Sequence, residues 1–232
     1  MVEATIQALK VSLRECKWSE ARNLIRFCAD LANSRVITNG SLISLFENLI
    51  DVTAEDNIPQ VRSDFYVFAV LSALPWVGKE LAEKDDLDQL LNTIEEYLMK
   101  RSKTHVTGLK VWQSDSPHPQ EEYLDCLWAQ ITKLRTDKWV EFQVCRIQHM
   151  FPQLSSATQH TLPDFLPPPH EPKFTYPFPR VVFRLFDYTD CPEGSSPLPG
   201  AHSIERFLAE ESIRNIMDLM YFNRKDWLVL VT

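Results

Sequence analysis

Glycine is scarce, at five residues in 232. So few glycines disfavour phosphate-cradling loops and many-hairpin β architectures. The five cysteines, Cys16, Cys28, Cys126, Cys145 and Cys191, are an odd number at loose spacing, and no two make a C-x-x-C. That pattern reads as reduced thiols rather than a disulfide framework. No window approaches the roughly 18 apolar residues of a membrane span. The N-terminal stretch carries Glu3 and Lys10 without a long apolar run, so it does not read as a secretory signal. Positive charge is outweighed, with 24 Lys and Arg against 32 Asp and Glu and a net charge of −8. That balance argues against a face that grips nucleic-acid backbone by itself. Proline is nearly absent early: only Pro59 and Pro75 precede position 117, whereas eleven prolines lie between Pro152 and Pro199. The chain is thus helix-permissive first and helix-hostile later, because proline lacks an N–H and clashes with the preceding turn.

Apolar bulk is plentiful: 44% of residues are hydrophobic, with 13 Phe, 6 Trp and 6 Tyr. A chain of this length buries about 70% of its unfolded surface, which excludes a disordered chain.

Helical spacing recurs along the first 150 residues. Val2, Ile6, Leu9 and Leu13 mark a first amphipathic helix, with Lys10 and Arg14 on its other face. Ser19 is the expected cap of a second helix, with Trp18 just before it and Ala21, Ile25, Cys28 and Ala32 in its stripe. Asn33-Ser34 and Asn39-Gly40 read as turns around a connector. Leu42, Leu45, Phe46 and Leu49 give a third helix. Residues 60–73 are apolar nearly all round, which predicts burial on several sides. Pro75 is expected to interrupt that helix, leaving a short one from Trp76 to Leu81. Leu87, Leu90, Leu91, Ile94 and Leu98 mark a helix over 86–101, with Lys100 and Arg101 complementing its dipole. After a loop over 104–118, Pro119 opens another helix, with Glu121 and Glu122 in its first turn and Leu124, Leu127, Ile131 and Leu134 in its core face. A weaker helix is expected over 137–150.

Paired helices at roughly 40-residue spacing predict an all-α fold of HEAT-like helical hairpins, an α-solenoid, over residues 1–150. Residues 151–200 form a proline- and aromatic-rich linker. Leu166-Pro167-Pro168-Pro169-His170 and Tyr176-Pro177-Phe178-Pro179 must be extended, because proline fixes its own φ and biases its predecessor. This linker reads as a tether lying on its own solenoid, or else as a peptide ligand for another protein's groove. Residues 201–232 return to helical spacing at Ile204, Phe207, Leu208 and Ile213, the first helix of another helical unit.

No catalytic constellation emerges. The six histidines, His105, His118, His149, His160, His170 and His202, include no i, i+4 pair and none at ligand spacing from a cysteine. Cys126 sits in an apolar stripe, which makes a thiol inert. Asp85-Asp86-Asp88, Glu95-Glu96 and Glu121-Glu122 sit at helix starts or on solvated faces. Gly-rich phosphate loops, G-x-S-x-G and H-E-x-x-H are missing. No catalytic residue, metal ligand or cofactor site is assigned, and neither an enzyme nor a small-molecule substrate is expected. Arg101, Lys103, His105 and Lys110 with Trp112 are the one mix of basic and aromatic residues that suggests direct RNA binding.

Three stretches are specific together. One is PQVRSDFYVF from Pro59, running on through LSALPWVGKEL. The second is Lys103-Thr104-His105, then VWQSDSPHPQEEYLDCLWAQI to Ile131. The third is DFLPPPHEPKFTYPFPRVVFRLFDYTDCPEG, followed by PGAHSIERFLAEE to Glu211. In this order they resemble the family of large subunits of the nuclear cap-binding complex, over about residues 3–215. The resemblance implies a large non-enzymatic scaffold with three helical-repeat domains related to the middle domain of eukaryotic initiation factor 4G. This chain then corresponds to most of the first domain, the linker and the opening helix of the second. It implies an RRM-containing small subunit as partner, capped RNA bound indirectly through that subunit, and RNA export and processing adaptors. It implies a nuclear, shuttling protein acting in splicing, nonsense-mediated decay, processing and export of polymerase II transcripts. The family's targeting tail and later domains have no counterpart here, and no family binding residue is carried over. The run after about Asn215 departs from the family pattern. Met217, Leu219, Met220, Tyr221, Phe222 and Trp227 are expected to fray or drive self-association.

Overall fold

The computed structural model describes residues 1–82, 86–103, 120–140, 151, 158–177 and 181–183. Six α-helices lie among them: α1 (Val2–Arg14), α2 (Trp18–Asn33), α3 (Asn39–Ile50), α4 (Gln60–Leu81), α5 (Asp86–Lys100) and α6 (Tyr123–Thr136). A 3₁₀ turn (Asp51–Ala54) follows α3. Two three-residue strands, β1 (Gln120–Glu122) and β2 (Val181–Phe183), pair antiparallel with Glu121 opposite Val182. Among the described residues the fold is all-α apart from that short ladder.

Helix α4 is the axis of the bundle. Helices α2, α3 and α6 pack on it, α1 packs on α2, and α5 packs on α3. Its all-round apolar sequence follows from this position: Phe65, Tyr66, Val67, Ala69, Val70, Leu71, Leu74 and Val77 are all buried. The amphipathic stripes of α1, α2, α5 and α6 meet around it. Ile6, Leu9 and Leu13, then Ile25 and Cys28, then Leu90, Leu91 and Ile94, then Leu127 and Ile131 join one continuous core.

Local signals misplace several boundaries. Helix α4 runs unbroken through Pro75, where an interruption is expected. Proline removes the bond to the Leu71 carbonyl. Arg26 of α2 donates to the Ser72 carbonyl at 3.4 Å, and Asn33 donates to the Trp76 carbonyl at 2.8 Å. These bonds tie the residues on either side of the proline to α2, and burial of the surrounding turns holds the helix unbroken. Ser19 caps nothing, because α2 begins at Trp18, with Lys17 at the cap position and no side-chain bond. The Trp18 indole N–H donates to the Thr175 carbonyl at 2.6 Å, so a tertiary contact fixes the helix start. Asn39-Gly40 opens α3 rather than forming a turn. Thr38 is the cap, its hydroxyl accepting from the Ser41 N–H, and Asn39 donates to the Glu80 carbonyl at 2.7 Å. Glu121 and Glu122 lie in β1, ahead of α6, because Val182 and Val181 pair with them. Residues 137–140 turn instead of starting a helix. The expectations for residues 141–150, for the 104–118 loop and for the helix over 201–232 fall outside the described residues.

Helices end here without glycine. Cys16, Arg35 and Lys138 take left-handed φ values of 57°, 53° and 56°. Each is followed by an N–H that reaches back five residues: Lys17 to Ser12, Val36 to Leu31 and Trp139 to Leu134. These are Schellman closures at positions that usually select glycine. One glycine is needed for a different reason. A Cβ on Gly78 would overlap the ring of Trp139, which seats the end of α6 on α4.

Candidate functional site

The feature that sets this bundle apart is the seam where residues 158–177 lie on it. The segment enters by a single parallel bridge: His160 donates to the Val36 carbonyl at 2.8 Å and accepts from Thr38 at 2.9 Å. It then runs extended across α1, α2 and α4. Leu162, Phe165, Phe174 and Tyr176 are buried in the same core as the helices. A proline-rich strand has few N–H groups to offer but keeps every carbonyl. The body answers with side-chain donors. Trp18 takes the Thr175 carbonyl, Arg62 takes the Pro168 carbonyl at 2.9 Å, and Lys10 approaches the Asp164 carbonyl at 3.4 Å.

Arg62 is the centre of the seam. Its side chain is 0% exposed. It forms a two-toothed pair with Glu55, Nε and Nη2 each 2.9 Å from a carboxylate oxygen, and donates from Nη1 to the Tyr176 hydroxyl at 2.9 Å. The faces of Tyr66 and Tyr176 flank the guanidinium at 5.2 and 6.0 Å. Burial works against this cation, but Glu55 and Tyr176 outweigh it and hold the guanidinium firmly protonated. Around this centre, Trp18 packs on Phe65 and Tyr176 with ring centroids 4.7 and 4.8 Å away, and His170 lies 3.4 Å from the Tyr176 hydroxyl. Burial raises the Tyr176 phenol, with Arg62 opposing. Such an arrangement locks a segment in place.

A second buried pair joins α4 to the end of α5. Arg101 meets both oxygens of Asp64 at 2.9 and 3.1 Å, Tyr97 donates to Asp64 at 2.7 Å, and Gln60 donates to the Ser102 carbonyl at 2.7 Å. Burial, then the bond to Asp64, raise the Tyr97 phenol well above its ordinary range.

This pair overturns the reading of Arg101 as an RNA contact. Its side chain is 1% exposed and is spent on Asp64. Lys103 pairs with Asp125 at 3.1 Å. His105, Lys110 and Trp112 fall outside the described residues. Among the acidic candidates, Asp86 and Asp88 open α5, Asp88 pairs with Arg135, and Glu96 pairs with Lys100, while Asp85 lies outside the described residues. Among the described residues no His, Cys, Asp and Glu cluster suits a metal ion, and no helix is long and apolar enough to cross a membrane. Cys16 and Cys28 are free thiols, and burial pushes Cys28 up to about 12. Cys126 is placed on α6 without a described side chain, and His118 lies outside.

Sequence reasoning missed Arg62 and Asp64. The available signal was two charges inside a run otherwise apolar on all sides, where a charge must be paired to be buried.

The bundle of α1–α6 has a counterpart among known families. Residues 1–135 match the MIF4G domain. The chain belongs to the MIF4G family. It is also similar to the protein named nuclear cap-binding protein subunit 1 in two mosquitoes, Anopheles gambiae and Aedes aegypti. Identity to each is 54% over 228 residues, covering 97% of this chain. The likeness therefore extends beyond the 3–215 stretch that carries the motif resemblance. The chain spans 28% of the length of each of these relatives. The MIF4G match ends at 135, so residues 158–177, which complete the core of this MIF4G bundle, lie beyond it.

Proposed function

We propose that this MIF4G chain is a non-enzymatic scaffold, part of the large subunit of a nuclear cap-binding complex. In this reading it supports an RRM-containing small subunit, and that partner binds the 5′ cap of polymerase II transcripts. The chain touches capped RNA only indirectly. Export and processing adaptors land on its surface, and its work lies in splicing, nonsense-mediated decay, processing and export, in a nuclear protein that shuttles. Residues 1–150 act as the helical domain, 151–200 as a linker laid on it, and 201–232 as the opening helix of a second helical unit.

The 54% identity to the mosquito cap-binding subunits over 97% of the chain carries this reading. The seam supports the mechanism. Two buried, ion-paired arginines and a docked extended segment make a stiff body, and a partner loses less freedom on a surface that is already ordered. Rigidity is the contribution; the recognition chemistry belongs to the partner.

The test is retention on cap-analogue resin. The chain, extended through the further domains of its relatives, is mixed with the RRM small subunit and eluted with free cap analogue. Both proteins in the eluate is the expected result. Retention of the small subunit alone, at equal concentrations, would overturn the proposal.

A further inference from the structure

Residues 162–170 repeat every three positions. Leu162, Phe165 and Pro168 are buried against the helices. Leu166 and Pro169 form a different ridge and face solvent, Leu166 being 73% exposed. A strand would alternate every two residues. A period of three is that of a polyproline helix, and prolines at 163, 167, 168 and 169 impose that backbone. One ridge is thus spent on holding the segment, and an apolar ridge is left facing out. Pro172 closes the run in a turn, with Phe174 donating to the Glu171 carbonyl at 2.9 Å.

The charge beside this ridge is specific. A cleft of about 270 Å³ lies along it, lined by Lys10, Arg14, Asp164, Leu166 and Pro168. Lys10 reaches only a backbone carbonyl, and Arg14 makes no ion pair with another described residue. On a chain of net charge −8 this cleft has two cations to one acid.

We propose that residues 162–170 are a preformed polyproline ligand, docked on the helices by Leu162, Phe165 and Pro168. They present Leu166 and Pro169 to a partner module of the SH3 type, with an aromatic-lined groove and an acidic rim. The reasons are chemical. Three consecutive prolines have no N–H for a sheet-forming partner, so recognition falls on ring and side-chain surfaces that aromatic walls match. Lys10 and Arg14 call for acids on the rim of that groove. Arg62, through the Pro168 carbonyl, and the buried Phe165 have already ordered the backbone, so the ligand arrives with its conformational entropy spent. This inference stands on the segment's geometry and not on the cap-binding reading.

The test uses the whole chain with leucine methyls labelled with ¹³C, titrated with a panel of purified SH3 domains. At least one domain should shift the Leu166 methyls. Leu166→Asp should weaken that binding at least about tenfold while leaving the melting temperature unchanged, since the side chain is exposed. The double variant Lys10→Glu, Arg14→Glu should weaken binding and flatten its salt dependence. A free peptide of residues 161–173 should bind about tenfold more weakly than the chain, because it must order itself on docking. Four results would overturn the proposal: no domain moves Leu166, Leu166→Asp binds as well as the parent, the free peptide binds as tightly as the chain, or the Leu166 methyls shift with the chain's own concentration.

Discussion

The helical body and the proline segment solve the same backbone problem in opposite ways. In α1–α6, most peptide groups find their partner within the helix, and side chains are free to pack. In residues 158–177, regular internal bonding is unavailable. The carbonyls of Asp164, Pro168 and Thr175 are instead met by Lys10, Arg62 and Trp18, which reach across from α1, α4 and α2. The body is therefore held by many interchangeable contacts and the segment by a few specific ones. Damage at one donor should matter more at the seam than anywhere on the helices' outer faces.

Arg62→Leu should show the largest effect. It removes two bonds to the segment, leaves the buried Pro168 carbonyl without its donor and frees the partly exposed Glu55, so urea unfolding should register a loss of about 2–4 kcal/mol. Loss under 1 kcal/mol would mean the segment is not held through Arg62. The matching change within the body is Gly78→Ala, which drives a methyl into the Trp139 ring. Overpacking there should cost about 1–3 kcal/mol and loosen α6 from α4, read as faster hydrogen exchange along α6.

High pH sharpens the comparison further. Burial raises Cys28, from an ordinary 9.0 to about 12, and likewise raises Tyr66 and Tyr97, all within the helical body. The folded chain keeps these protons where the unfolded chain releases them. Stability is then intact below about pH 9 and falls as pH rises, by about 1.4 kcal/mol per unit for each group inside its window. Cys28→Ala should flatten the onset, near pH 9–10, of a series of denaturant midpoints. An unchanged slope would contradict the burial of this thiol.

The smallest effect should be a gain. Arg35 holds a left-handed φ of 53° at the end of α2. Arg35→Gly should relieve that conformation and stabilise the chain by up to about 1 kcal/mol in thermal unfolding.

Much of the body was legible because periodicity is local. The stripes Ile6-Leu9-Leu13 and Leu87-Leu90-Leu91-Ile94 need only their own neighbours to be read as helices. The errors fell where a distant residue decides the outcome. The turns around Pro75 are tied to α2 by Arg26 and Asn33, the start of α2 is set by Thr175, and Glu121 is drawn into a ladder by Val182. The candidate site was the least legible part. Arg62 and Tyr176 are 114 positions apart, so no spacing rule joins them. Prolines at 167–169 did announce an extended segment, but the threefold burial that divides its ridges exists only once the helices are beneath it. Arg101 misled because a basic residue at a helix end looks solvated, whereas Asp64 lies one helix away.

The central claim is that the proline segment is part of the folded core, not an appendage. Fluorotyrosine placed at position 176, followed by ¹⁹F NMR through a urea titration, tests it against helical circular dichroism on the same samples. The account predicts one shared midpoint, with Tyr176 released only as the helices melt. Release of Tyr176 at low urea, with helical signal intact, would contradict it.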